Sequence, residues 1–204
     1  DSESTVSTIA DTSSNAIIRD ISKCIGCGQC SKVCPTGAIA ENDALQKVTT
    51  ALNSGKTIVW QFAPSSQNIL GEEFGLLSGE NVSGKIATSA KMLGDYVFRT
   101  DFGADITIME EVTELITRIK TGGVLPMITS CCPGWVQYCE KNYPELLPNV
   151  STCRSPMEMF GSVIKEQYKT SSRKIVSVAI MPCTAKKFEA ARPEFKWNEN
   201  QQVI

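Results

Sequence analysis

Four cysteines near the start of the chain have the spacing of metal-cluster ligands. Cys24, Cys27, Cys30 and Cys34 form the pattern C-x-x-C-x-x-C-x-x-x-C, and Pro35 follows. This spacing lets one tight loop bring three thiolates to three irons of a cubane [4Fe–4S] cluster, and in two-cluster ferredoxins the fourth cysteine serves the other cluster. A zinc knuckle usually has two separated C-x-x-C pairs. The run therefore predicts an iron–sulfur cluster.

The role of Cys34 stays open because the chain has a single run of this kind. Either a second run precedes Asp1, or Cys34 ligates the same cluster as the other three cysteines. The chain begins with Asp1 rather than with methionine. We therefore expect it to be trimmed, processed or excerpted from a longer sequence.

Three further motifs each follow a predicted strand. They are Ala63-Pro64-Ser65 after a strand over 57–62, Ser130-Cys131-Cys132-Pro133 after a strand over 124–129, and Met181-Pro182-Cys183 with Lys186 after a strand over 174–181. In open α/β sheets, ligands bind beyond the carboxyl ends of the strands, so we expect the three motifs to converge on one site. The helices that follow direct their N-termini at this site, which favours an anionic ligand such as a thiolate-bound cluster.

A plainer interpretation is that Cys131, Cys132 and Cys183 are ordinary buried cysteines. That interpretation would suit a lone cysteine, but it does not explain why Cys-Cys-Pro and Pro-Cys-x-x-Lys motifs both follow strands. Cys139 and Cys153 have no comparable context. We interpret both of these as core or surface thiols.

Strands and helices alternate along most of the chain. The predicted order is a strand over 57–62, a helix over 84–93, a strand over 96–99, a helix over 105–120, a strand over 124–129, helices over 133–142 and 155–168, a strand over 174–181, and a helix after Pro182. This alternation predicts the α/β class, with a mainly parallel sheet covered by helices.

Residue composition and motifs divide the chain into three parts. Residues 1–17 are a polar tail or linker, residues 18–46 are a small ferredoxin-like [4Fe–4S] segment, and residues 47–204 are the α/β domain.

Composition excludes several classes of function. The net charge of −2 argues against nucleic acid or an anionic membrane surface as the main partner. No apolar run reaches the roughly 18 residues of a membrane span.

The chain has no histidine, so no mechanism here uses an imidazole. Nine cysteines, an odd number, favour thiolate ligands in a reducing compartment over a secreted disulfide scaffold.

Two of the motifs resemble signatures of the [FeFe]-hydrogenase catalytic domain. Residues 129–135, TSCCPGW, resemble the first signature, and residues 181–189, MPCTAKKFE, resemble the second. Residues 102–115 and the position of the cysteine run upstream are also similar to the family. The resemblance covers nearly all of residues 17–196 and implies that the α/β domain is the N-terminal half of an iron hydrogenase H-cluster domain.

The active site of that family is the H-cluster, a cubane bridged by a cysteine to a di-iron unit that bears CO, cyanide and a dithiolate. The resemblance implies that Cys132 and Cys183 are two of the four cubane ligands and that Cys131 passes protons to the di-iron unit. It implies that Lys186 hydrogen-bonds a cyanide, which would be a charge-assisted contact. The residues that would line the di-iron pocket are Ala63, Pro64, Ser65 and Met181.

The chain departs from the family pattern in two places. The third signature, which supplies the other two cubane cysteines including the bridging one, is not found before Ile204. We expect a second polypeptide or further C-terminal sequence to complete the site. Met157 lies where catalytic members often have Gln, so one pocket hydrogen bond is in doubt.

The predicted helix over 105–120 has an apolar stripe and an adjacent polar stripe. The apolar stripe consists of Ile108, Val112, Leu115 and Ile119, and the polar stripe of Glu111, Glu114 and Arg118. From these residues alone, the polar stripe is a solvated edge with an i, i+4 pair of Glu114 and Arg118. The resemblance implies instead a proton relay, which runs in order through Arg118, Glu111, Ser151, Glu114 and Cys131.

The resemblance implies a hydrogenase that catalyses 2H⁺ + 2e⁻ ⇌ H₂, with electrons from ferredoxin or a similar carrier entering through the cluster at 24–34. Two alternatives stay open: a non-catalytic iron–sulfur relative such as a sensor or assembly factor, and a ferredoxin-like carrier with a structural α/β appendage. Cys131 distinguishes them, because relatives outside catalysis commonly lose that thiol. The expected location is an anaerobic, reducing compartment, either the cytoplasm or the matrix of a hydrogen-producing organelle.

Overall fold

The computed structural model describes residues 23–169 and 173–195. The predicted tail over 1–17 lies outside the described residues, as do residues 18–22 of the ferredoxin-like segment and residues 196–204 of the α/β domain. None of the helices in the described part is both long and apolar enough to cross a membrane.

The described residues form three strands, eight α-helices and three short 3₁₀ turns. The strands are β1 (Thr57–Phe62), β2 (Tyr96–Arg99) and β3 (Ile175–Ile180). The α-helices are α1 (Gln29–Val33), α2 (Leu45–Leu52), α3 (Ser66–Ile69), α4 (Ser83–Leu93), α5 (Asp101–Thr121), α6 (Pro133–Asn142), α7 (Pro156–Gln167) and α8 (Ala185–Ala190). The 3₁₀ turns are Glu72–Phe74, Pro144–Asn149 and Pro193–Phe195.

The three strands form one parallel sheet in the order β2-β1-β3. Every residue of β1 is buried, as expected for a central parallel strand covered on both faces. Val59 pairs with Tyr96 of β2 on one side and with Ser177 of β3 on the other. The parallel sheet with covering helices confirms the predicted α/β class.

Side chains of β1 alternate between two apolar cores, because successive residues of a strand point to opposite faces. Ile58 and Trp60 face a core that also contains residues of α2 and α4. Val59 faces the other core, where it packs with Phe160 and Ile164 of α7. Helices on both faces therefore hold β1 in place.

A buried amide ties β1 to the surrounding elements. The Gln61 side chain is 0% exposed. Its Nε2 donates to the Met157 carbonyl at 3.2 Å and to the Ser177 hydroxyl at 3.3 Å, and its Oε1 accepts from the Thr100 hydroxyl at 3.1 Å. Because buried polar groups require partners, these bonds fix α7, β3 and the end of β2 around β1.

The predicted strand over 124–129 is wrong except at one position. Within the described residues of this segment, Ile128 alone forms a β-bridge, with Val150. Pro126 lacks the N–H that a strand needs for its ladder, and Gly122 ends α5 with a positive φ just before. The motif at Cys131 therefore follows a loop rather than a sheet strand.

Helix α5 packs against α7, and its polar stripe is more buried than most of its apolar stripe. Ile119 is 60% exposed and Val112 is 48% exposed, whereas Gly103 and Thr107 are buried. The helix starts at Asp101 rather than at residue 105. Small residues in its first turns allow a close approach to α7.

Replacing Gly103 by alanine should destabilise the fold. A Cβ at this position would lie 2.3 Å from the Pro156 carbonyl oxygen and 2.7 Å from Cβ of Phe160. Overpacking costs about 1–3 kcal/mol, which exceeds the gain of up to about 1 kcal/mol in helix propensity. Urea unfolding should therefore show a free energy of unfolding lower by about 1–2 kcal/mol.

A matched control is Gly84→Ala in helix α4, where an added Cβ would meet nothing within 4 Å. This variant should be as stable as the parent chain or slightly more stable. If Gly103→Ala unfolded at the same urea concentration as Gly84→Ala, the close α5–α7 contact at Gly103 would be refuted.

Candidate functional site

Two glycines shape the loop that carries the first cysteines. Gly26 and Gly28 have φ of 67° and 76°, a region that side chains rarely adopt. The Gly26 N–H donates to Cys24 Sγ at 3.3 Å. Cys27 is exposed and Cys24 is half-buried. The loop therefore presents its thiols outward while backbone N–H groups face sulfur.

The Cys34 thiol is disposed to ionise. The Thr36 hydroxyl lies 3.6 Å from its sulfur. This hydroxyl, followed by the backbone N–H of Ile39, lowers the pKa of Cys34 to about 7, against a small opposing effect of burial. Since the thiolate is the form that binds metal, Cys34 is suited to be a ligand.

The cysteine loop docks on the two helices that follow the later cysteine motifs. The Lys141 ammonium donates to the Cys24 carbonyl at 2.6 Å, and the Thr184 hydroxyl donates to the Gly26 carbonyl at 2.6 Å. Helix α6 begins after Cys132, and Thr184 follows Cys183. Nothing in the local sequence pattern of Lys141 and Thr184 predicts this docking role, because their partners lie more than a hundred positions away.

The other motifs meet at the carboxyl ends of β1 and β3. The Ala63 N–H donates to the Ile180 carbonyl at 3.1 Å, so Ala63 and Met181 leave neighbouring strands. The Lys186 ammonium donates to the Cys131 carbonyl at 2.9 Å, which links the Cys-Cys motif to the motif after β3. The motifs after β1 and β3 therefore lie side by side, and the Cys-Cys motif reaches the second of them from a loop.

A cavity of about 470 Å³ opens beside β3 and α8. Its wall includes Met157, Met181, Cys183 and Lys186. Ala63, Pro64, Ser65 and Cys131 are not among its lining residues. Of the residues predicted to surround the di-iron unit, only Met181 and Lys186 therefore line this cavity.

Lys186 is held at the cavity by a buried carboxylate. Its side chain is 14% exposed, and its ammonium lies 2.9 Å from Oε2 of Glu189. Glu189 also accepts from the N–H of Ser155 at 3.1 Å and from its hydroxyl at 2.9 Å. Glu189 was not among the predicted site residues, although it lies three residues after Lys186, within reach on one helix face.

Glu114 is the centre of the polar contacts of α5. It accepts from the Arg118 guanidinium at 2.6 Å, from the Ser151 hydroxyl at 2.9 Å and from the Thr152 N–H at 3.1 Å. Burial opposes its ionisation, but Arg118, Ser151 and Thr152 outweigh burial and hold the pKa of this carboxyl below its usual value.

These contacts correct the predicted order of the relay. Arg118 bonds to Glu114, so Glu114 rather than Glu111 lies between Arg118 and Ser151. The Glu111 Oε1 atom is buried and has no hydrogen-bond partner among the described residues. The i, i+4 pair expected from the residues alone is present, but it is largely buried instead of solvated.

Cys139 and Cys153 differ from the candidate ligands. Cys139 is fully buried and its thiol donates to the Tyr143 carbonyl at 3.3 Å. Burial is the main factor that raises the pKa of both thiols. A raised pKa leaves little thiolate at neutral pH, so these two cysteines are poor ligands.

The donor set fits iron–sulfur clusters. N–H groups face sulfur at Cys24 and also at Cys132, whose Sγ accepts from the Trp135 N–H at 3.5 Å. Within 23–169 and 173–195, no three Cys, Asp or Glu side chains are arranged around a single metal ion. A cubane has four separate irons, so its thiolates do not have to converge on one point.

A ferredoxin-type loop joined to a parallel α/β sheet, with thiols and a lysine beyond the sheet, is the arrangement of an iron–sulfur protein. Residues 56–203 match the family described as "Iron only hydrogenase large subunit, C-terminal domain", and residues 17–40 match "4Fe-4S binding domain". The first match extends over most of the chain. The chain therefore belongs to the iron-only hydrogenase family.

Relatives include catalytic and assembly proteins. The NADP-reducing hydrogenase subunit HndD of Solidesulfovibrio fructosivorans is 45% identical over 192 residues, covering 88% of this chain and 33% of that protein. Cytosolic iron-sulfur assembly component 3 of Bos taurus is 32% identical over 194 residues, covering 87% of this chain and 41% of that protein. The chain spans less than half the length of either relative.

A solved structure supports the same family. A variant of the apo [FeFe]-hydrogenase from Chlamydomonas reinhardtii matches with a TM-score of 0.71 and 38% identity, covering 75% of this chain and 41% of that one. Together the matches confirm the predicted family, the [4Fe–4S] segment and the H-cluster domain as the cofactor-binding units. The roles of individual residues stay predictions.

Proposed function

We propose that this chain is the part of an [FeFe]-hydrogenase that carries two of the four cubane thiolates of the H-cluster. The observation that carries the proposal is the hydrogen bond from Lys186 to the Cys131 carbonyl, at 2.9 Å. This bond connects the Cys131-Cys132 pair to the motif that contains Cys183. Only one thiol of the pair is needed as a cubane ligand. A purely structural iron–sulfur domain has no use for this extra thiol and lysine.

The cofactors would be held by separate sets of thiols. Cys24, Cys27, Cys30 and Cys34 would hold the first [4Fe–4S] cluster. Cys132 and Cys183 would supply two thiolates to the cubane of the H-cluster, and the remaining two would come from polypeptide beyond this chain. When bound, the H-cluster supplies the redox chemistry that combines protons with electrons.

The residues of this chain would bind the cofactor and move protons. Lys186 would offer an ammonium to the anionic ligands of the di-iron unit, and Ala63, Pro64, Ser65 and Met181 would exclude water around them. Glu114, held in place by the Arg118 guanidinium, would take up protons, Ser151 and Glu111 would pass them inward, and the Cys131 thiol would hold them at the site. Hydroxyl and carboxyl groups a hydrogen bond apart, as Ser151 and Glu114 are, can exchange protons in this way.

Electrons would come from ferredoxin or a similar carrier and enter through the cluster at 24–34. Contacts from Lys141 and Thr184 to that loop support this route, because they fix the first cluster against the helices after Cys132 and Cys183. A reducing compartment, the cytoplasm or the matrix of a hydrogen-producing organelle, would keep the thiolates available.

An iron–sulfur assembly factor is the second candidate, favoured by the 32% identity to the bovine assembly component. The test joins this chain to the C-terminal remainder of the Clostridium pasteurianum iron hydrogenase 1, which is 45% identical over 168 residues. Both the chain alone and the fusion are matured anaerobically, and H₂ formation from a reduced carrier is measured.

The chain alone should bind iron but form no H₂, because two thiolates cannot hold the whole H-cluster, and metal–thiolate bonds supply much of the binding free energy of such sites. The fusion should form H₂ and show infrared bands of bound CO and cyanide. A fusion that binds iron but shows neither these bands nor turnover would favour the assembly-factor function. Robust H₂ formation by the chain alone would refute the half-site assignment.

A further inference from the structure

The start of α7 has the sequence of a capping box but not its contacts. Ser155-Pro156-Met157-Glu158 fits the pattern S-x-x-E, in which the glutamate side chain accepts from the N–H of the serine. Here Oε1 of Glu189 accepts that N–H at 3.1 Å, and its Oε2 accepts the Ser155 hydroxyl at 2.9 Å. Glu189 of α8 has therefore taken the place of Glu158.

Glu158 is left as a surplus carboxyl in the interior. Its side chain is 5% exposed, and its Oε1 has no hydrogen-bond partner among the described residues. An ionised carboxylate in such a place is unfavourable unless it is paired. The displaced contact and the unpartnered oxygen both favour the neutral, protonated form.

The charges around Glu158 come from three elements. Glu189 and Lys186 belong to α8, Lys165 lies near the end of α7, and Arg154 precedes α7. Burial, and after it Glu189, raises the pKa of Glu158 to about 7, while Lys165, Arg154 and Lys186 act in the opposite direction. Glu158 therefore changes charge in the neutral pH range.

The first turn of α7, to which Glu158 belongs, lies beside Lys186, because the Glu189 carboxylate accepts both from Ser155 at the start of α7 and from the Lys186 ammonium. The same turn reaches the cavity through Met157, the residue before Glu158, and Lys186 also lines it. The Lys186 ammonium is already shared between Glu189 and the Cys131 carbonyl. A second negative charge near this ammonium would change how firmly it is held in the interior.

We propose that Glu158 is a buried proton store that positions Lys186 through its charge. With the proton bound, Lys186 is held by Glu189 and the Cys131 carbonyl and keeps an N–H for an anion in the cavity. When Glu158 releases its proton to water, a second carboxylate draws the ammonium away from the cavity. The importance of this for H₂ formation rests on the proposed function, in which Lys186 faces the anionic ligands of the H-cluster.

Infrared spectroscopy of the isolated 204-residue chain tests the proton store. At about pH 6, where ordinary glutamates are ionised, the wild-type chain should show the carbonyl stretch of a protonated carboxylic acid. The band should disappear with a midpoint near pH 7. It should be absent from Glu158→Gln and from Glu158→Met, a second variant of similar shape. It should persist in Glu166→Gln, which changes an exposed glutamate of the same helix.

NMR of lysine side chains tests the coupling to Lys186. In a ¹⁵N-lysine sample, the Nζ signal that is missing from Lys186→Met should shift with the same midpoint as the infrared band. Glu158→Gln should abolish this shift, and Glu166→Gln should leave it unchanged.

Two results would overturn the proposal: an infrared band that Glu158→Gln and Glu158→Met leave in place, or a Lys186 signal that titrates identically with and without Glu158. Neither measurement requires the H-cluster. A positive result with no H₂ formation by the fusion would therefore reject the proposed function alone, and the reverse outcome would reject this inference alone.

Discussion

In the completed enzyme, Cys131→Ala should leave the H-cluster assembled and lower the rate of H₂ formation by about 10²- to 10⁴-fold. Cys131 precedes Cys132 in the chain and is exposed at the site. In the proposed function, its thiol transfers protons and does not bind iron. Alanine cannot bind a proton, so the last step of the relay would be lost. The measurement compares infrared occupancy of the CO and cyanide bands with the H₂ rate for each variant.

Two further variants make this result specific. Cys131→Asp should recover part of the rate, because a carboxyl also exchanges protons. Glu114→Gln should resemble Cys131→Ala, since an amide cannot relay a proton and Glu114 joins Arg118 to Ser151. If Cys131→Ala lost occupancy in proportion to its rate, Cys131 would be a ligand or a packing residue.

Cys183→Ala should remove the H-cluster itself rather than slow an assembled enzyme. The thiolate at this position would be one of only two that this chain gives to the cubane, and losing a ligand lowers the affinity of a metal site directly. We expect the iron content to fall to that of the first cluster and the CO and cyanide bands to disappear. Cys132→Ala should give the same result.

Cys139→Ala serves as the matched control for ligand loss. Its thiol is buried, and burial raises its pKa, so the variant should keep full iron content even if it loses some stability. Normal iron content in Cys183→Ala, or equal losses in Cys139→Ala and Cys183→Ala, would contradict the assignment of Cys183 as a ligand.

The sheet shows which features local pattern can predict. A buried run over 57–62 predicted β1, and the structure has the strand at those residues. The segment over 124–129 has a similar apolar run, but Pro126 and the glycines before it prevent a ladder, so it forms only one bridge. A prediction from the length of the apolar run alone overlooks that Pro126 has no N–H to donate to a neighbouring strand.

Helix α5 shows the limit of periodicity. Ile119 and Val112 of its apolar stripe are exposed, while Glu114 and Arg118 of its polar stripe are largely buried. Gly103 decides the contact with α7, since a side chain at this position would collide with Pro156 and Phe160. Periodicity correctly predicted a two-faced helix, but it could not tell which face the neighbouring helix would cover.

The sequence by itself determined the chemistry of this protein: a cubane-type cysteine run, two further cysteine motifs and a parallel α/β domain. These features depend on residue types within a few positions of one another, so they can be read locally. Only the tertiary structure decided that Glu114, not Glu111, joins Arg118 to Ser151, and that Glu189 displaces Glu158 at the start of α7. The contact of Glu114 with Ser151 and that of Glu189 with Ser155 join residues 37 and 34 positions apart in the chain, and the packing of α5, α7 and α8 determines which of two similar carboxylates reaches its partner.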